Sequence, residues 1–160
     1  MQQIREPAQP ADAGRSFAQE LGGALSGIHR ATRRRVRHET GLAPLSGAQG
    51  ELLRLVVKSP GIGVSAAARE LSLAGNSVST LVNQLVAKDY LCREPSPSDR
   101  RAAVLTATDA GRERVKRWQD MRSRLLADEL GRLGPDELAA LRSALPALRH
   151  LAAALSEPPG

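Results

Sequence analysis

From Arg15 onward, Phe17, Leu21, Leu25, Ile28, Thr32 and Val36 follow one another at three or four residues, the spacing of one stripe along a helix. The stripe stops at TGLAP, where Gly41 can take a left-handed cap and Pro44 prevents continuation. Ser46 then caps a second helix that turns Leu52, Leu53, Leu55, Val56 and Val57 largely inward and is closed by SPGIG. Two short helical segments come next. SAAARELSL, with Ser65 at its start, buries Ala67, Ala68 and Leu71, and GNSVSTLVNQLVAKDY sets Val78, Leu81, Val82 and Leu85 at i, i+3, i+4 and i+7. Only residues 71–75 separate them, a turn with a small residue where two helices must cross, so the pair predicts a helix-turn-helix.

The pattern then changes. YLCRE is short and β-compatible, PSPSD is turn chemistry, and RRAAVLT can return as a second strand. A β-hairpin directly after a helix-turn-helix is a wing, and its polar, proline-stiffened loop projects rather than packs. Thr108 and Asp109 cap a long helix whose apolar face is Val115, Trp118, Met121, Leu125, Leu126, Leu130 and Leu133. GPDEL starts the last helix, with Pro135 in its first turn and Asp136 and Glu137 near its positive end. There Leu138, Leu141, Leu145, Leu148, Ala152 and Leu155 form a narrow seam of the kind that receives another helix. Residues 1–14, rich in Pro, Ala, Gln and Gly and without a period, read as a disordered arm. The expected fold class is mainly α with a small β-hairpin.

Composition narrows the function. A chain of 160 residues is one domain, or one with extensions, and can bury a core. Its only aromatic residues are Phe17, Tyr90 and Trp118, so the core is built of Leu, Val and Ala, which suits closely packed helices. The net charge is +6 and the sequence pI about 10.6, mostly from arginine, whose planar fork suits phosphates and base edges. A polyanionic partner follows. Nucleic acid is preferred to membrane because no basic amphipathic segment carries Trp or Phe on its apolar face. The start lacks an apolar leader segment and no apolar run reaches membrane length, so a cytoplasmic protein is expected. The single Cys92 suits a reducing compartment.

In this order and spacing the elements resemble the MarR (multiple antibiotic resistance regulator) family of bacterial winged-helix transcription factors. The most specific match is the wing signature: an Asp, any residue, an Arg, then after a fixed gap a Thr that caps the next helix. Here these are Asp99, Arg101 and Thr108 within PSPSDRRAAVLTATDAG. The helix-turn-helix VSAAARELSLAGNSVSTLVNQLVAKDYL is similar too, and the resemblance covers roughly residues 15 to 155. It implies a homodimer, triangular in outline, in which residues 15–45 and 112–157 interlock as the dimerisation region and residues 46–111 form the winged helix-turn-helix. Four features depart from the family pattern. Ala107 stands where a Leu usually precedes the Thr, and Ala67 replaces a Leu in the first helix of the motif. Thr80 and Gln84 occupy recognition-helix positions that often carry Arg, and Pro146 interrupts the last helix, where it predicts a kink.

With Val78, Leu81, Val82 and Leu85 turned to the core, the other side of the recognition helix carries Asn76, Ser77, Ser79, Thr80 and Asn83. These short uncharged groups can approach base edges closely, Asn pairing with adenine and Ser or Thr with several acceptors. The plainer alternative is an ordinary solvated face. In the wing, the family pattern favours Arg101 for the minor groove, with Asp99 orienting it, while Arg100 and Arg93 serve phosphates. The plainer alternative is a loop of solubility charges, against which the stiff prolines argue.

The densest basic run, HRATRRRVRH, spreads its arginines around a helix that the family places at the dimer interface, so a solvated or interfacial role is preferred to DNA contact. The resemblance supplies another reading, that some of these arginines line a pocket for a small anionic or phenolic ligand. Cys92 reads as an inert, partly buried thiol rather than a redox switch. His29 and His38 lie half a turn out of phase on one helix, and His150 has no acidic or thiol neighbour at ligand spacing, so no metal site is expected. No phosphate-cradling loop or nucleophile elbow is present, and neither a cofactor nor catalysis is expected. The sequence therefore predicts a homodimeric regulator, expected to be a repressor, on double-stranded DNA with a palindromic site. The competing classes are a winged-helix protein-interaction module and a nonspecific architectural DNA binder.

Overall fold

The computed structural model describes residues 10–41, 43–95 and 103–156, and the chain divides into two compact units, Met1–Arg122 and Ser123–Gly160. In the first unit, helix α1 (Pro10–Thr40) begins at Pro10 rather than near Arg15, so the expected arm over residues 1–14 is helical from residue 10 on. A proline is admissible there because the first turn has no intrahelical use for the N–H it lacks. After α1, Gly41 takes φ of 57°, the left-handed conformation expected of it. Helix α2 (Gly47–Lys58) opens on a reciprocal capping box. The Gln49 N–H donates to Ser46 Oγ at 3.1 Å, and the Ser46 N–H donates to Gln49 Oε1 at 2.9 Å.

Helices α3 (Val64–Glu70) and α4 (Gly75–Val86) form the helix-turn-helix. The turn between them is a Schellman motif: the Leu73 N–H reaches back to Ala68 O and the Ser72 N–H to Arg69 O. Its left-handed residue is Ser72 (φ 52°), while Gly75 is already the first residue of α4. Ser65 lies inside α3 rather than at its boundary, because the chain enters that helix straight from a strand with Gly63 as N-cap.

That strand is the element the sequence did not announce. The expected hairpin is present as β2 (Leu91–Pro95) and β3 (Ala103–Ala107), with Leu91 opposite Ala107 and Pro95 opposite Ala103. Beside it β1 (Ile62–Gly63) pairs antiparallel with β3, Ile62 opposite Leu105, so the sheet has three strands in the order β1-β3-β2. Two residues have no periodicity to detect, and this strand exists only through its partner. Leu105, fully buried, joins the sheet to Leu52, Leu53, Val56, Val78, Val82, Leu85 and Leu91 in one core. Each such aliphatic side chain contributes about 2 kcal/mol on burial. Leu81 is only half-buried at the edge of this cluster.

Helix α5 (Asp109–Leu130) starts where the recognition helix ends. Thr108 caps it as expected, its Oγ1 accepting from the Gly111 N–H at 3.0 Å while donating to Asp89 O at 2.6 Å. Asp89 (φ 57°) and Tyr90 close α4 in a second Schellman turn, in which the Tyr90 N–H reaches Leu85 O. One threonine thus ties the end of the recognition helix to the start of α5.

In the second unit, α6 (Pro135–Ser156) continues as helix across Pro146, and none of its side chains is fully buried. The Gly134 N–H donates to Glu137 Oε2 at 2.9 Å, half of a capping box at its entry. Leu141, Leu145, Leu151 and Leu155 are exposed, Leu155 by 77%. On α1, in the first unit, Phe17 (66%) and Ile28 (56%) are exposed as well. No helix of the described residues is long and apolar enough to cross a membrane.

Candidate nucleic-acid interface

The outer surface of α4 carries no charged side chain. Asn76, Ser77, Thr80 and Asn83 are exposed and Ser79 is half-buried, while Val78, Val82 and Leu85 on the opposite side are sealed in the core. The hydroxyl protons are engaged along the helix itself. Ser79 Oγ donates to Gly75 O at 2.9 Å and Thr80 Oγ1 to Asn76 O at 3.0 Å, so each oxygen is left with its lone pairs to accept. Asn76 Oδ1 accepts from the Ser77 N–H at 2.8 Å within the first turn.

Arg93 projects from β2 toward this row, and its Nη2 donates to Asn83 Oδ1 at 2.8 Å. The strand of the wing and the recognition helix are therefore joined by a charge-assisted bond between two residues assigned separately from the sequence. Of the remaining wing candidates, Asp99, Arg100 and Arg101 lie outside the described residues; the hairpin that carries them is bounded by the Pro95–Ala103 pair. Cys92 is half-buried on β2 with Sγ 3.0 Å from Thr106 Oγ1. Gln84 is tied elsewhere: Gln49 Nε2, from the first turn of α2, donates to Gln84 Oε1 at 2.8 Å.

The fold recurs among solved structures. RV1404 from Mycobacterium tuberculosis matches with a TM-score of 0.74 and 19% identity over 96% of this chain and 99% of that one. FabT from Streptococcus pneumoniae, solved in complex with DNA, gives 0.69 and 21% over 86% and 99%. MarR itself gives 0.66 and 25% over 83% and 97%. A comparison with curated proteins gives no match. Residues 43–102, the helix-turn-helix through to the wing, match the family model described as MarR family. Over those residues the chain is similar to the MarR family. Its fold is the one that these solved structures, MarR among them, share.

The chain also has a cleft, open to solvent, between α1, α2 and the start of α5. Arg33, Arg54, Arg114 and Trp118 line it, together with His29. Arg114 is 91% buried, its Nη2 donating to Ala43 O at 3.4 Å and its Nε meeting no acceptor. The guanidinium carbon of Arg54 lies 5.1 Å from the Trp118 ring centre. Burial holds the Arg54 guanidinium below its ordinary value; Glu51 opposes this, and Arg122 and Arg33 add to it. His29 and Arg33 are thus two members of the basic run that reach the cleft. Arg54, Arg114 and Trp118 were not singled out as site residues from the sequence. Arg54 had a visible signal, a lone cation inside the apolar run LLRLVV, whereas Arg114 sits in the charged stretch RERVKR and gave none.

Proposed function

We propose that the protein is a transcriptional repressor that binds a palindromic operator as a homodimer and is released by a small anionic ligand. The observation that carries the DNA reading is the uncharged polar row of α4, exposed along one side and flanked by Arg93. Affinity comes from arginines at the flanks, and base discrimination from the short groups between them. The DNA in the FabT complex gives the same fold a nucleic-acid partner. Dimerisation would cover the exposed apolar stripe of α1 and, separately, that of α6. The soluble, DNA-facing role fits a cytoplasmic protein.

Selection of duplexes from a random pool at near-physiological salt tests this. A twofold-symmetric site with half-sites about 10 bp apart is the expected result. A folded dimer that enriches nothing would favour the interaction module. Enrichment in affinity without a preferred site would mark an architectural binder.

For the ligand, the supporting observation is Arg114, a buried guanidinium with an unmatched Nε beside two more arginines and an aromatic ring. An aromatic carboxylate satisfies all of them. Occupancy would act on α2, whose Ser46, Gly47 and Gly50 line the cleft and whose Gln49 holds Gln84 of the recognition helix. Trp118, the chain's single tryptophan, reports on the site. Titration with benzoate is expected to quench its fluorescence saturably, and Arg114→Met to weaken that binding roughly tenfold. By reciprocity, saturating benzoate weakens DNA binding by the factor that DNA weakens benzoate. A flat titration, or an unchanged one in Arg114→Met, removes the cleft from the account.

A further inference from the structure

An asparagine reads adenine by using both ends of its amide, the oxygen accepting from N6 and the nitrogen donating to N7. At Asn83 the oxygen is already engaged. Arg93 Nη2 donates to Oδ1 at 2.8 Å, a charge-assisted bond that occupies one lone pair and draws electron density from the other. What Asn83 offers best is then its amide N–H₂, two donors, beside a weakened acceptor. Both residues are exposed, so this polarisation stands at the surface that would meet a duplex.

We infer that Arg93 is a specificity-determining residue that acts through Asn83, turning it from an adenine reader into a donor that selects keto bases, guanine or thymine. This rests on the DNA-binding reading above. Guanine offers N7 and O6 and thymine O4 as major-groove acceptors, whereas cytosine presents its N4 amino donor and adenine sets an N6 amino donor beside its N7 acceptor, a donor that a second donor cannot satisfy. The other residues of the row have the opposite polarity. Ser79 and Thr80 spend their protons on Gly75 O and Asn76 O and so are left as acceptors suited to amino groups. The half-site therefore changes polarity along α4, and Arg93 sets the sign at the Asn83 end.

The test is the same pool selection run on the wild-type protein, Asn83→Ala and Arg93→Ala, with thermal unfolding to show that each variant folds. Asn83→Ala should flatten one position in each half-site, and in the wild-type site that position should be guanine or thymine. Arg93→Ala, which frees Oδ1, should admit adenine there, raising its ratio to the keto bases roughly tenfold per half-site. An adenine at that position in the wild-type site overturns the inference and leaves the regulator reading intact. So does Arg93→Ala that weakens every site equally, since Arg93 is then a phosphate contact alone. Retention of every preference in Asn83→Ala also overturns it, because Arg93 then reads the base itself. A wild-type protein that enriches no site removes the regulator reading and this inference with it.

Discussion

Gly111→Ala should destabilise the winged-helix unit by about 3 kcal/mol, the upper end of what overpacking costs. A Cβ built on Gly111 would stand 2.1 Å from Tyr90 O, 3.0 Å from its carbonyl carbon and 3.2 Å from its Cα. These are backbone atoms, so no side chain can swing aside. Neither partner is free to retreat. Tyr90 is held by its N–H to Leu85 O and by its carbonyl, which accepts from the Thr108 N–H, and Gly111 is held by Thr108 Oγ1. Relief must separate the end of α4 from the start of α5, and with it reorient the recognition helix. For a chain of this size the expected fall in Tm is on the order of 6 to 12 °C, measured by circular dichroism. A fall below about 2 °C would show that the two elements separate freely and that Gly111 sets nothing.

Arg101→Ala should leave the Tm and the dimer unchanged and lower operator affinity on the order of a hundredfold. A guanidinium contact to DNA is worth about 1 to 3 kcal/mol, and a homodimer loses two of them at once. Arg101 belongs to residues 96–102, which join the ends of β2 and β3 beyond the Pro95–Ala103 pair. The measurement is a binding titration on the selected operator, with sedimentation of the variant to verify the dimer. An unchanged affinity would reassign the wing arginines to solubility and favour the interaction module. The contrast between the two variants is itself informative, since Gly111→Ala is expected to act through the fold and Arg101→Ala without unfolding it.

Several elements were legible before any coordinates. The N-cap of α2 is written in Ser46, the cap of α5 in Thr108, and the helix stripes in the spacing of their leucines and valines, because these features are made by neighbours in sequence. The row on α4 was legible for the same reason, since burial of Val78, Val82 and Leu85 leaves Asn76, Ser77, Thr80 and Asn83 outside by helical geometry alone. The start of α1 was misplaced because low periodicity does not forbid a helix that opens on a proline.

What local pattern could not supply is whatever depends on a distant partner. Strand β1 is a strand only against Leu105, and Gly111 is obligatory only because the Tyr90 carbonyl comes to rest on it. Arg114 reads as one more surface cation until folding buries it beside Ala43 and Trp118. The polarity of Asn83 is decided by an arginine on another element. The amino-acid sequence by itself determined the helices, the strands of the hairpin, the basic charge and the family resemblance. Only the tertiary structure decided which polar groups are already spent and which remain for a ligand or a base, because a hydrogen bond between elements has no period along the chain.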